Sequence, residues 1–418
     1  MRFKEIDEKI IAASVVSRFL RYVQVWTTSC RHVEKTPSTP GQWDLAKLLV
    51  EELQALGVQD VTLTDSCYVI AHLPASAGKE NVPCVGFLAH LDTSDEVSGK
   101  DVKPRLVEDY DGGVIYLAGN RRLDPALDPD LAAQKGKSII HTDGTTLLGA
   151  DDKAGIAEIM GAVECLIQRS EIAHGDMEII FSPDEETGKG LPDFPYEKSR
   201  AAVCYTLDGG ALGEIEVECF NAAEAVITFT GKSMHPGYAR GKMANAVVMA
   251  ANFVNMLPRS ESPEATDGYF GYFYASEING TTERARLDVL VRDFDLGVMK
   301  ERLERLEFFA KAVEAQFPEG AVNIEITDQY HNMKEKIDER PEALDMLKQA
   351  LSNTGVDVRI KPIRGGTDGS RLTEMGVPTP NIFTGGRNWH GTLEWASVPE
   401  MTAACKVVIE LIRLWGEA

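Results

Sequence analysis

Two hydrophobic periods alternate along the chain. Ile10, Ala13, Phe19, Tyr22 and Val23 fall on one helical face. Leu45, Leu48, Leu49, Leu53 and Leu56 form a second stripe, closed by Gly57, where a helix end favours the left-handed conformation. Between such stripes lie short apolar runs of strand length. Val61 to Leu73 reads as strand, turn and strand, and Val85 to Ala89 as a strand ending at His90. Asp176 to Phe181 and Ala202 to Leu207 read as two more, the latter ending at Asp208. Thr145 to Ala150 reads as a strand feeding Asp151 and a helix from Lys153, with Ile156, Met160, Val163 and Ile167 at helical spacing. Strands alternating with helices predict an α/β sheet with helices on both faces.

From about Glu214 the pattern changes. Half-exposed strands are predicted over Glu216 to Phe220 and Ala223 to Phe229, further strands over Phe270 to Ile278, Arg284 to Val291 and Val322 to Asp328, and helices over Ala244 to Leu257 and Lys300 to Phe317. This β-α-β-β-α-β order is that of a compact α+β, ferredoxin-like domain. The first style resumes after Tyr330, with helix from Pro341 to Ser352, strands at Asp357 to Pro362 and Thr379 to Phe383, and a last helix opened by a capping box of Ser397 and Glu400. The block 119–143 lacks apolar periodicity and reads as a surface excursion. The expected fold is thus a mixed-sheet α/β/α catalytic domain, 1–219 and 330–418, interrupted by an inserted lid domain over 220–329.

Composition narrows the function. The chain has 418 residues, 43 basic against 65 acidic, for a net charge of -22. That balance, with no Lys/Arg cluster, excludes a nucleic-acid partner. No apolar run approaches the ~20 residues a membrane helix needs, so no membrane partner is expected. Seven scattered cysteines without a CxxC pair fit free thiols in a reducing cytoplasm.

The chemistry gathers at strand ends, where α/β sheets carry their sites. His90 with Asp92, the pair Asp151 and Asp152, the pair Glu185 and Glu186, and Asp208 all follow predicted strands, and His390 follows another by one loop. Each has a structural alternative. Asp92 could merely hold the His90 ring, the Asp pair could cap a helix, Asp184 to Glu186 could be a solvated acidic loop, and Asp208 a turn residue. Together they form a His/carboxylate set without thiolates, which suits zinc, manganese or cobalt. The set is large enough for two ions sharing a carboxylate. One of Glu185 and Glu186 can bind metal while its neighbour serves as a base.

The ordered words of the chain are specific. They are His90-Leu91-Asp92-Thr93-Ser94-Asp95, Leu148-Gly149-Ala150-Asp151-Asp152-Lys153-Ala154-Gly155, Pro183-Asp184-Glu185-Glu186-Thr187-Gly188, Thr206-Leu207-Asp208-Gly209-Gly210, Gly231-Lys232-Ser233-Met234-His235-Pro236-Gly237, Tyr330-His331-Asn332-Met333, Arg364-Gly365-Gly366-Thr367-Asp368-Gly369 and His390-Gly391. In this set the chain resembles the tripeptide aminopeptidases of the M20 metallopeptidase family over essentially its whole length. The resemblance implies two zinc ions, replaceable by Co2+ or Mn2+. His90 and Asp208 would bind one, Glu186 and His390 the other, and Asp151 both. Glu185 would be the general base and Asp92 would orient His90. His235 would stabilise the oxyanion, and Arg292, Arg364 and Asn332 would help hold the substrate. The implied reaction is release of the N-terminal residue from a tripeptide. A homodimer is also implied.

Other M20-type enzymes, carboxypeptidases or N-acyl amino-acid amidohydrolases, share the metal words and form the alternative reading. A non-catalytic relative would have lost the base or a ligand, and none is missing here. A dinucleotide-binding fold lacks its glycine fingerprint.

Overall fold

The computed structural model describes residues 5–418, which divide into two compact units. Among the described residues the larger comprises 5–217, 333–361 and 367–418, and the smaller 218–332 with 362–366.

The larger unit is built on an eight-stranded mixed sheet in the order Asp60–Leu63, Val69–Leu73, Met177–Ser182, Val85–His90, Val203–Gly209, Asn381–Phe383, Glu214–Cys219, Arg359–Ile363. Its centre is parallel, with Val85–His90 between Met177–Ser182 and Val203–Gly209. These strands are buried on both faces, which is why they read as continuous apolar runs. Alternate residues serve different cores. Val85, Phe87, Ile179 and Tyr205 join the main core with the helices Glu5–Tyr22, Ala150–Gln168 and Val398–Glu417, whereas Leu88, Ile180 and Cys204 meet Leu191, Phe194 and Leu372. Leu372 lies on the short helix Asp368–Glu374. Gly57 takes the expected left-handed conformation at φ 98°.

Three expectations are corrected. Thr145 to Ala150 forms no strand. Gly149 is left-handed at φ 82°, and the N–H groups of 148–151 are consumed by the Glu394 carboxylate, so they cannot join a ladder. The strand nearby is Ile139–His141, paired with Trp395–Ser397. The capping box at Ser397 does not form either. Ser397 Oγ donates to Gln134 Oε1 at 2.9 Å, and Glu400 accepts from Gln134, Leu212 and Arg387. Finally, the block 119–143 is not a bare excursion: Leu123, Leu131 and Ile139 form a small core with Tyr110 and Trp395.

The smaller unit is a four-stranded antiparallel sheet ordered Tyr272–Gly280, Arg284–Asp293, Asn221–Thr230, Ala321–Tyr330. The helices Ala246–Met256 and Leu296–Gln316 cover it through Phe253, Met249, Leu306 and Val313. Both begin at side-chain caps, Asn245 accepting from Val247 and Asp295 from Val298. Among the described residues no helix is long and apolar enough to cross a membrane.

Candidate metal centre

The parallel strands deliver their last residues to one edge of the sheet. His90 ends its strand in register with Ser182, and Asp208 is the penultimate residue of the neighbouring one. Asp151 stands at the head of Ala150–Gln168, and Glu185 and Glu186 start a single 3-10 turn just past Ser182. His390 comes from the loop between the short strands Gly386–Arg387 and Trp395–Ser397.

These groups converge. His90 Nε2 lies 2.8 Å from Asp151 Oδ1 and 3.7 Å from Asp208 Oδ1. His390 Nε2 lies 3.0 Å from Glu186 Oε1 and 3.3 Å from Asp151 Oδ2. The two oxygens of Asp151 therefore face two different histidines. The result is a pair of triads, His90-Asp151-Asp208 and Asp151-Glu186-His390, each with its donor atoms within 4.8 Å of one another. Asp152 turns away and accepts main-chain N–H groups of His90 at 3.0 Å and Gly155 at 3.2 Å.

Around the triads, carboxylates fix the main chain. Asp92 is fully buried. Its Oδ1 lies 3.3 Å from His90 Nδ1, and its two oxygens accept the N–H groups of Glu185 at 3.0 Å and Glu186 at 3.1 Å. His90 Nδ1 also lies 3.1 Å from the Asp92 carbonyl, so a proton on Nδ1 leaves the Nε2 lone pair for the centre. Asp184, left-handed at φ 60°, accepts from Gln42 Nε2 and the Ser38 N–H, each at 2.7 Å. Asp368, also buried, accepts from Ser182 Oγ at 2.5 Å. Sequence reasoning missed Asp184 and Asp368 as supports, although both lie inside quoted words. It also missed Glu394, whose only signal was its place four residues beyond His390.

The electrostatics call for positive charge. Burial pushes Asp208 and Glu185 well above the usual carboxylate range, and Glu186 up to about 7, with Asp151 adding to each effect. Burial also works to raise Asp151, but hydrogen bonding to His390 and His90 outweighs it and holds Asp151 low. His390 is pushed up to about 11 by Asp151 and Glu186. Three carboxylates packed this closely favour positive charge at the centre, which a divalent cation would bring. Glu186 Oε1 is buried and lacks a hydrogen-bond partner, although His390 Nε2 is 3.0 Å away: the two atoms are close without being aligned on each other. An orphaned oxygen in a nitrogen and carboxylate donor set fits a zinc-type ion. The Glu185 carboxylate belongs to neither triad.

The remaining predicted residues lie in the smaller unit. His235 is exposed, and its Nδ1 accepts the Gly237 N–H at 3.2 Å. In the neutral ring the proton is then on Nε2, which can donate. Arg364 donates to the carbonyls of Gly268 and Phe270 at 2.9 and 2.8 Å and to Thr266 Oγ1 at 2.9 Å. Buried Arg292 donates to the carbonyls of Ala223 and Val291 and to Gln329 Oε1. Asn332 accepts from the Cys219 N–H and donates to the Phe294 carbonyl.

Known proteins resemble this chain in sequence and in fold. The family description "Peptidase family M20/M25/M40" matches residues 138–414. The chain is 49% identical over 405 residues to peptidase T of Geobacillus thermodenitrificans, covering 96% of this chain and 98% of that one. It is 47% identical over 403 residues to peptidase T of Clostridium perfringens, covering 96% and 99%. The fold matches the crystal structure of aminopeptidase PepT from Bacillus cereus with TM-score 0.75 at 23% identity, over 97% of this chain and 98% of that one. With a strand-end site of this geometry and relatives this similar along nearly its full length, the chain belongs to peptidase family M20/M25/M40.

Proposed function

We propose that this chain is a two-zinc aminopeptidase that releases the N-terminal residue from tripeptides. The observation that carries the reading is the sharing of Asp151 between two His/carboxylate triads, with the Glu185 carboxylate in neither. The relatives named peptidase T at about half identity support the tripeptide substrate.

In this reading His90 and Asp208 would hold one ion, Glu186 and His390 the other, and Asp151 both. Bound there, the ions would polarise the scissile carbonyl and acidify the attacking water. Glu185, whose proton affinity burial has raised, would take a proton from the attacking water and pass it to the amine as the peptide C–N bond breaks. Asp92 orients His90 and the Glu185 turn together. His235 donates from Nε2 to the developing oxyanion. Arg292 and Arg364 are the candidates for the peptide's C-terminal carboxylate, and either would exchange the partners it holds in its own unit. Asn332 braces that unit's strand ends. Zinc is the proposed ion, with Co2+ or Mn2+ as substitutes. Seven free cysteines support a cytoplasmic location.

A peptide panel tests this. Zinc-loaded protein is offered free di-, tri- and tetrapeptides beside N-blocked and C-amidated tripeptides, and the products are identified. Cleavage of the free tripeptide after its first residue is expected. Preference for the N-blocked peptides would replace this reading with an acylase or carboxypeptidase. Equal turnover of the amidated tripeptide would remove the arginine role.

A further inference from the structure

The loop beyond His390 sends one acid inward. Glu394 is 2% exposed. Its Oε2 accepts the N–H groups of Leu148 at 2.6 Å and Gly149 at 2.8 Å, and its Oε1 those of Ala150 at 2.7 Å and Asp151 at 3.3 Å. Four consecutive N–H groups converge on one carboxylate, and the last belongs to Asp151 itself. The first N–H groups of a helix have no partner within it, and here a side chain distant in sequence satisfies those of Ala150 and Asp151 at the head of Ala150–Gln168, together with the two just before it. Glu394 is in turn held from behind. The next residue, Trp395, pairs with His141 and donates from its indole to Asp128 at 3.0 Å.

Asp151 and His390 are two of the three donors in the second triad. Asp151 serves the first triad as well, but the other two donors there, His90 and Asp208, stand on strands of the central sheet. We propose that Glu394 is a positioning residue for the second triad: by gripping the 148–151 main chain it ties Asp151 to the loop that bears His390, and so spaces two donors for a cation. All four partners are donors, so both oxygens must accept. A carboxylate does this, whereas an amide of the same shape turns an NH2 against two N–H groups.

The inference rests on the metal reading above, and its test separates the two. Cation-free wild type and Glu394→Gln are titrated with Co2+, followed by visible absorption and calorimetry, with thermal unfolding of the cation-free proteins measured alongside. Wild type should take up two equivalents. In Glu394→Gln the second should bind about 10–100-fold more weakly, the range for lost support of a ligand, and the first, which shares Asp151 but keeps His90 and Asp208 on the sheet, should weaken clearly less than the second. An unchanged second equivalent, or equal weakening of both, overturns the positioning role. Uptake of no Co2+ by wild type overturns the metal reading and this inference with it. Should Glu394→Gln not fold, Glu394→Asp keeps two accepting oxygens on a shorter arm. Selective weakening of its second equivalent supports the role, and unchanged binding overturns it.

Discussion

The carboxylate of Asp92 accepts the main-chain N–H of Glu185 at 3.0 Å. The proposed base is thus aimed by the same acid that faces the His90 ring. Asp92→Asn keeps the shape but replaces one accepting oxygen by a donor. Turnover of a tripeptide should fall about 10–100-fold. Steady-state kinetics should place the loss in kcat, with KM changed far less.

Glu185→Gln removes proton transfer without touching either triad. A drop in kcat of about 100- to 10,000-fold is expected. Metal content, measured by atomic emission on the same sample, should stay at the wild-type level. Near-normal turnover with metal bound would end the base assignment.

His235 has its Nδ1 occupied by the Gly237 N–H, so a single ring proton is left to donate. His235→Ala should lower kcat about 100- to 1,000-fold, the range for one oxyanion donor. Binding of a product amino acid, read by calorimetry, should be little altered.

Glu178 provides a pH prediction away from the centre. Burial by itself would raise its pKa, but His72, Ser199 and the N–H groups of Arg200 and Ala201 outweigh that and hold it below the ordinary 4.5. The unfolded chain then binds the proton more readily, so the stabilisation is present above pH 4.5 and fades as pH falls through the lower folded value. Glu178→Gln should be less stable by about 3 kcal/mol at neutral pH. Denaturant unfolding should show that gap narrowing in acid, and a gap that widened there would contradict the assignment.

Periodicity made the sheet strands readable because these segments are buried on both faces. His90 and Asp208 were readable for the same reason: each ends an apolar run. The segment 145–150 was misread because its apolar residues signal burial, while its N–H groups are bound by a side chain far along the chain. Ser397 and Glu400 have the spacing of a capping box, yet Gln134 and Arg387 compete for them. The grips of Asp92, Asp184 and Glu394 are main-chain contacts between distant segments. Local pattern carries no trace of such contacts.

Gly155 lies one turn beyond Asp151 and Asp152 on the helix that packs against the Asp208 strand. A Cβ placed there would sit 2.0 Å from the Leu207 carbonyl oxygen. The gap between helix and strand is therefore set by the absence of one methyl group, at the residue pair next to Asp208. An alanine at 155 would push Asp151 and Asp208 apart while every donor atom remained in the sequence. The spacing of these two donors is in this sense written in a residue that has no side chain, and an inventory of functional groups would pass over it.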